Sequence, residues 1–429
     1  MDAATAYFTS ISTNGGWCGI YSLDLKERYG ESLSEKARPT QIWVQPPGTP
    51  TVGQVLLRAY RATGDAKCLA AARGAGRALA WGQSAAGGWN HLADVADLRP
   101  DSAAPQRKEG RCTFDDNITQ GAIDFLMDLD DELDEPWLDD AVALGLAMLL
   151  RSQFPNGAWP QGYPLTGGYH DYYTFNDGAI NDCIRVLVDA HRRYRKGEHL
   201  AAARRGGEFI ILSQGAAPQS GWAQQYSHDM KPAWARAFEP PCFSSASTCR
   251  NIRTLADLAV YTGDAGFLAP IPAAVAWLEK SKLRDNVWAR MYEPGTNKPI
   301  YGDRDKKVHY TLEEISEERR TGYSWQGDYG LPAAVAYYNE VRKAGPAAYA
   351  AERARRADVR PSPADLAKRA AGMEPKVKAV IGALDEKGRW ASGGRIRSKT
   401  FVANLGVLSD YLAAAAPPPP NQKANGKGQ

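Results

Sequence analysis

Asn14-Gly15-Gly16-Trp17, Gly87-Gly88-Trp89, Asn156-Gly157-Ala158-Trp159 and Ser220-Gly221-Trp222 each close an Ala-rich amphipathic stretch. Asn286-Val287-Trp288 and Gly388-Arg389-Trp390 are looser members of the same series. The tryptophans up to Trp288 stand 72, 70, 63 and 66 residues apart. That spacing suits one antiparallel helix pair with a long loop, repeated around an axis. At about 1.5 Å per residue, two helices of about 15 residues use under half of each repeat and leave long loops to build a site.

Helical periodicity recurs at 52–81, 118–133, 138–153, 179–196, 199–213, 248–261, 267–281 and 332–343, bounded by Gly, Pro or Asn. No series of alternating Val/Ile/Thr runs suggests a large sheet. The expected fold is mainly α, an (α/α) helical toroid or barrel of antiparallel helix pairs with long functional loops. Residues 1–343 are expected to form that catalytic toroid. Residues 344–412 are expected to be a connector and a C-terminal helix pair packing on it, and 413–429 a disordered Pro-rich tail.

Composition narrows the function. The chain has 429 residues, 52 Lys+Arg against 49 Asp+Glu, and a net charge of +3. A general nucleic-acid binder needs a clear basic excess to release counterions, so that class is excluded. No apolar run of about 18 residues is present to span a membrane. The opening MDAATAYFTS lacks the basic and apolar regions of a signal peptide. Cys18, Cys68, Cys112, Cys183, Cys242 and Cys249 show no CxxC pair and no zinc-type spacing, which reads as buried thiols with one or two disulfides left open.

Three loops concentrate unusual chemistry. Residues 156–177 pack Trp159, Gln161, Tyr163, Tyr169, His170, Asp171 and Asp177 between two helices. Aromatic faces interleaved with amides and carboxylates suit sugar rings and their hydroxyls. Residues 221–241 offer Trp234, Arg236 and Glu239, and residues 289–330 offer Arg304, Arg319, Arg320 and Tyr323. Thr113-Phe114-Asp115-Asp116 and Thr174-Phe175-Asn176-Asp177 each precede a helix, while a third copy, Thr400-Phe401-Val402-Ala403, carries no acid. A bare N-cap role for the acids is weakened by that third copy, and Asp115 and Asp177 read as functional. Acids in the earlier loops and arginines in the later ones suit an acidic ligand bridged by an oxygen-ligated divalent cation, Ca²⁺ or Mg²⁺.

These segments, WPQGYPL…GYHDYYTFND, GWAQQYSHDMKPAWARAFEPP and YEPGTNKPIYGDRD…ERRTGYSW, resemble the family 10 polysaccharide lyases, the pectate (pectic acid) lyases, in motif order over roughly residues 85–330. The resemblance implies an (α/α)₃ toroid and calcium-dependent β-elimination on polygalacturonate or oligogalacturonides, by a secreted or periplasmic enzyme acting as a monomer. It implies Asp115, Asp116 and Asp177 as Ca²⁺-side residues and Arg236 in AWARAFEP as the catalytic base. Arg304 in GDRD and Arg319-Arg320 in ERRTGY are implied to bind substrate carboxylates. His170, Asp171, Trp159, Gln161, Trp234 and Tyr323 are expected to contact the sugar. An arginine base stays protonated at ordinary pH, so an alkaline rate optimum is expected.

Departures concern subsites. The first motif reads Thr113-Phe114-Asp115-Asp116-Asn117-Ile118-Thr119, Gln326 stands between Trp325 and Gly327, and Ser244–Cys249 lacks an expected glutamate. Two other readings share the scaffold. A glycoside hydrolase would use paired carboxylates such as Asp115 or Asp116 with Asp177 or Glu239. A non-catalytic acidic-polysaccharide binder would hold polygalacturonate without cleaving it. A triterpene cyclase is suggested by the QxxxGxW stretches ending at Trp89 and Trp159 and by Asp128-Leu129-Asp130-Asp131. It is set aside because the loops are polar and the acidic run continues into Glu132.

Overall fold

The computed structural model describes residues 1–98 and 107–416. Fourteen α-helices lie among them: α1 (Asp2–Ser10), α2 (Thr49–Thr63), α3 (Ala66–Gly82), α4 (Ile118–Asp130), α5 (Pro136–Ser152), α6 (Ala179–Tyr194), α7 (Gly197–Leu212), α8 (Ser245–Thr262), α9 (Ile271–Lys280), α10 (Glu317–Gly322), α11 (Leu331–Ala344), α12 (Pro346–Asp358), α13 (Pro363–Gly382) and α14 (Ser398–Ala415). The fold class is the mainly helical α/α one. The stretch 52–81 divides in two at Gly64, whose φ of 72° ends α2, and Asp65 then caps α3 through the Lys67 N–H. Residues 344–375 hold α12 and most of α13. The expected tail is helical to Ala415, and from 417 it lies outside the described residues.

The chain divides into two compact units, one of Met1–Met148 with Arg360–Gln429 and one of Leu149–Val359. In the first, α2 packs on α3, α4 and α14, and α13 packs on α14. The strands at Ile20–Ser22 and Arg395–Arg397 pair antiparallel, joining the two ends of the chain. In the second, α6 packs on α7, and α8 packs on α6, α7, α11 and α12. A five-stranded antiparallel sheet lies in the loops of this unit, with Phe243–Ser244 between Trp222–Ala223 and Met291–Tyr292.

The Gly-Trp series explains how each unit is stapled. The last carbonyls of a helix have no partner within it. Trp17 donates its indole N–H to Phe8 near the end of α1, and Trp89 to Leu79 of α3. Trp390 does the same for Val380 of α13, Trp159 for Leu149 of α5, Trp222 for Ile210 of α7 and Trp288 for Leu278 of α9. The "looser" members at 288 and 390 are therefore full members. Six tryptophan-closed helices lie among the described residues, three in each unit.

The chain turns through the left-handed region two residues before Trp159 and Trp288, at Gly157 and at Asn286 (φ 51°). At Gly157, φ is 93° and an added Cβ would lie 2.1 Å from the Arg205 carbonyl oxygen. Glutamines complete the staple, crossing from one loop to the next Trp-closed helix or its start. Gln83 donates to Gly87 and Ala141, Gln153 to Gly157 and Ala202, and Gln214 to Ser220 and Pro270. The QxxxGxW pattern thus reports helix packing.

All six cysteines are buried thiols, with no disulfide. Burial pushes Cys18 and Cys242 up to about 12, so neither is a reactive thiolate. Among the described residues, no helix is long and apolar enough to cross a membrane.

Replacing Trp222 by Phe removes one buried indole bond and leaves space where the ring was. The expected loss is about 2 kcal/mol or more, read as a lower thermal midpoint. The half-buried Trp234→Phe is expected to change the same midpoint far less.

Candidate active site

The two acid-bearing turns fold alike. Phe114 and Phe175 are buried, and the Thr113 and Thr174 hydroxyls accept the N–H of Asp115 (3.1 Å) and Asn176 (3.3 Å). A 3₁₀ turn follows in each, at Asp115–Asn117 and Asn176–Gly178. Asp116 and Asp177 then sit at φ 49° and 47°, the left-handed region that non-glycine residues rarely adopt. In this register Asp116 is the counterpart of Asp177, and Asp115 that of Asn176. The sequence reading couples Asp115 with Asp177 from the helix starts and from the resemblance of the two motifs.

Neither acid is a helix cap. Asn117 precedes α4 and Gly178 precedes α6, with no side-chain cap bond at either. The third copy is not a comparable turn, because Thr400 and Phe401 lie inside α14. In the first unit, Asp116 accepts from the Gln45 amide at 3.2 Å, and the same amide reaches Glu31 at 3.2 Å.

In the second unit, the short strands beyond each tryptophan deliver a further set of side chains. Trp222-Ala-Gln-Gln-Tyr226 and Trp288-Ala-Arg-Met-Tyr292 share one register with Trp17-Cys-Gly-Ile-Tyr21. In each, the tyrosine hydroxyl accepts the N–H of the residue after the tryptophan: Cys18 at 2.6 Å, Ala223 at 2.8 Å and Ala289 at 2.9 Å. The residue two places after the tryptophan is Gln161, Gln224 or Arg290. Gln224 and Arg290 line a cavity of about 200 Å³ with Asn176, Asp177, Ser247 and Arg250. Gly178, at φ 82°, leaves room for Arg250, whose Nη1 lies 2.1 Å from where a Cβ would stand.

Arg236 lies beside this cavity, its Nη2 4.0 Å from the Asp177 carboxylate. Its fork grips Glu239, with Nε to Oε2 at 2.8 Å and Nη2 to Oε1 at 2.6 Å. Burial works against the Arg236 cation, but the bonds and charge of Glu239 outweigh it, and Tyr323 and Asp177 add to them. Its pKa is therefore pushed further above the ordinary arginine value. For Glu239 burial favours the neutral acid, yet the Arg236 bonds keep it ionised, below its ordinary value.

The expected carboxylate readers form a second layer on Phe238. The Arg236, Arg304 and Arg319 guanidinia stand 4.9, 5.9 and 4.5 Å from its ring. Glu318 pairs with both Arg304, at 3.0 Å, and Arg319. Those two arginines hold the Glu318 carboxyl down to about 2. Arg319 is directed to Phe238, whereas Arg320 is exposed. Arg290 lies 4.4 Å over the Tyr323 ring, and the Tyr323 hydroxyl donates to Glu239 at 3.0 Å.

Two expected sugar contacts take other roles. Trp159 is fully buried and closes α5 through its indole, leaving no face for a sugar. Asp171 is 6% exposed and accepts the N–H groups of Thr166 and Gly167, which holds the loop in shape. His170 stacks on Tyr169 at 3.9 Å, Gln161 is largely buried, and Trp234 is half-buried. Arg290 and Arg250 were missed, and Gln224, one of the polar side chains of the 221–241 loop, had been given no role. The Trp-x-x-x-Tyr register, visible in the sequence, was the signal that points to Arg290 and Gln224.

The sequence profile of the pectic acid lyases matches residues 83–287 and 284–333, more than half of the chain. The chain belongs to the pectic acid lyase family. It is thus a lyase acting on polysaccharide. Among solved structures it is similar to the family 10 polysaccharide lyase from Cellvibrio cellulosa, at 24% identity and a TM-score of 0.53, over 69% of this chain and 97% of that one. An aspartate-to-alanine mutant of the Cellvibrio cellulosa lyase, in complex with trigalacturonic acid, matches at 24% identity and TM-score 0.53, over 69% and 98%. At that identity the likeness shows the fold. A search of curated proteins finds no match.

Gln224 tests whether this pectic acid lyase cavity is built for a ligand. It is 4% exposed, and no protein group bonds either atom of its side-chain amide. Such a group costs about 1–3 kcal/mol in an apolar setting. Gln224→Leu is therefore expected to hold or raise the thermal midpoint while weakening oligogalacturonide binding measured by calorimetry.

Proposed function

We propose that this chain is a calcium-dependent pectate lyase that cleaves polygalacturonate by β-elimination to 4,5-unsaturated oligogalacturonides. The observation that carries the reading is one cavity flanked by Asp177, Arg236, Arg250 and Arg290, in a chain of the pectic acid lyase family. Fixed guanidinia beside a carboxylate-bearing turn suit a polyanionic sugar bridged by a cation.

Asp177 is proposed to hold the cation in the second unit, and Asp115 and Asp116 are proposed as cation-side acids of the matching turn in the first. Their carboxylate oxygens are hard donors, which fit Ca²⁺ and do not fit a soft thiophilic metal. When bound, the ion supplies Lewis-acid neutralisation of the charge that builds on the substrate carboxylate. Arg290, Arg304 and Arg319 hold the carboxylates of neighbouring sugars, and Arg320 extends that contact at the exposed edge. Gln161 and Gln224 bond hydroxyls, with Trp234, His170 and Tyr323 bordering the chain.

The base is assigned to Arg236. The C5 proton lies α to the carboxylate; it passes to a guanidine nitrogen of Arg236, the C4–O bond breaks, and a C4=C5 double bond forms. The leaving oxygen takes its proton from water. Glu239 has no part in acid–base exchange, since both of its oxygens are held by Arg236. That weighs against a hydrolase using Glu239. A secreted or periplasmic, monomeric enzyme acting on pectin follows from the same reading.

The test is incubation with polygalacturonate, with and without a chelator. Products absorbing in the near ultraviolet are expected with calcium and are expected to vanish with the chelator. Reducing ends without that absorbance would mean a hydrolase, and binding without release a carbohydrate-binding protein. Asp177→Ala is expected to abolish the calcium response. Arg236→Ala is expected to lower kcat by about 10²–10⁴-fold, the usual worth of a general base.

Only the neutral guanidine can accept a proton, and Glu239 holds Arg236 protonated. The rate is therefore expected to climb with pH through the alkaline range. A profile that peaks near neutrality would remove Arg236 as the base.

A further inference from the structure

We propose that Glu239 is a positioning residue that sets the orientation of Arg236 and ties it to the carboxylate-binding Arg290 through Tyr323. The proposal rests on the lyase reading above. Glu239 is 1% exposed, yet it stays charged. Stability alone does not account for it, since burying a carboxylate costs desolvation that its attraction to a partly exposed guanidinium need not repay. Its geometry does more than neutralise charge.

Its two oxygens take four donors. Oε2 accepts Arg236 Nε at 2.8 Å and the Arg236 backbone N–H at 3.2 Å. Oε1 accepts Arg236 Nη2 at 2.6 Å and the Tyr323 hydroxyl at 3.0 Å. Two parallel bonds fix the plane of a guanidinium, not merely its position. The backbone of Glu239 donates back to the Arg236 carbonyl at 2.9 Å, closing a tight turn that carries both groups. Arg236 Nη1 is outside the fork and is the nitrogen left to meet a substrate.

Tyr323 continues the chain. Its ring is held edge-on by Phe238 at 5.4 Å and by Trp325 at 4.8 Å, and its face carries Arg290 at 4.4 Å. One buried carboxylate thus references the proton-accepting arginine and a carboxylate-reading arginine to each other. A misplacement of the order of 1 Å at such a group costs roughly 10²-fold in rate.

The experiment is steady-state kinetics on polygalacturonate for wild type, Glu239→Gln and Tyr323→Phe, with trigalacturonate binding followed by calorimetry. Glu239→Gln keeps the volume but turns an N–H₂ toward the guanidinium and breaks the fork. Its kcat is expected to fall at least tenfold, with KM and trigalacturonate affinity within about twofold of wild type. A purely structural role would instead lower both together or only the thermal midpoint. Should Glu239→Gln fail to fold, Tyr323→Phe carries the test, with a kcat loss of about threefold at unchanged KM. An active wild type with unchanged kcat in the folded variants overturns the inference alone. A wild type that yields no unsaturated product overturns the lyase reading, and this inference with it.

Discussion

The indole hydrogen bond at the end of each tryptophan-closed helix is the constraint from which the rest of the structure follows. A helix end leaves carbonyls unpaired, and burying them unpaired is costly. Here a side chain from the following loop closes the end, so the loop is anchored at a fixed distance from the helix. Trp17, Trp89, Trp159, Trp222, Trp288 and Trp390 all do this. Beyond the anchor, the chain adopts short strands, and residues two places on reach a common cavity in the second unit. Rigidity is obtained at the tryptophan, which frees the adjacent positions to carry polar groups that do not help folding.

The electrostatics follow from that arrangement. Arginines gathered on one face repel one another, and a protein that keeps them must supply nearby anions that leave some edges open. Glu239 and Glu318 do so by gripping two nitrogens of each guanidinium they hold, while the Phe238 face attracts three guanidinia at once. Net charge is blind to this, because +3 is a sum over opposed local groups.

The helical repeat was legible because glycine and tryptophan are distinctive, and a helix end constrains them both. The acid-bearing turns and Arg236 were legible through motif order. What escaped was orientation. Trp159 stands in a polar loop beside Gln161 and looks like a sugar platform, but its neighbour in space is the end of α5. Asp171 looks like a free acid, but a turn of its own loop folds back onto it. Linear sequence shows which groups share a loop and not which way each one faces. Arg290 escaped for the opposite reason, since it sits in an ordinary strand whose meaning appears only on alignment with Trp222 and Tyr226.

Arg236 shows how these two levels meet. An arginine stays almost wholly protonated even in the alkaline range, and Glu239 pushes Arg236 further that way. For the base role proposed above, that protonation is a cost. Well-oriented reacting groups, however, gain effective molarities of about 10⁵–10⁸ M. Under the proposed lyase reading, a carboxylate that fixes the guanidine plane therefore gives up neutral fraction in exchange for orientation, which counts only if it is held within a fraction of an ångström. Glu239 meets that condition because it is buried, bonded four times and closed into a turn with Arg236 itself. The same carboxylate that leaves less of Arg236 in its neutral form also fixes the plane of its guanidinium, and in a site that binds by fixed geometry both follow from one buried group.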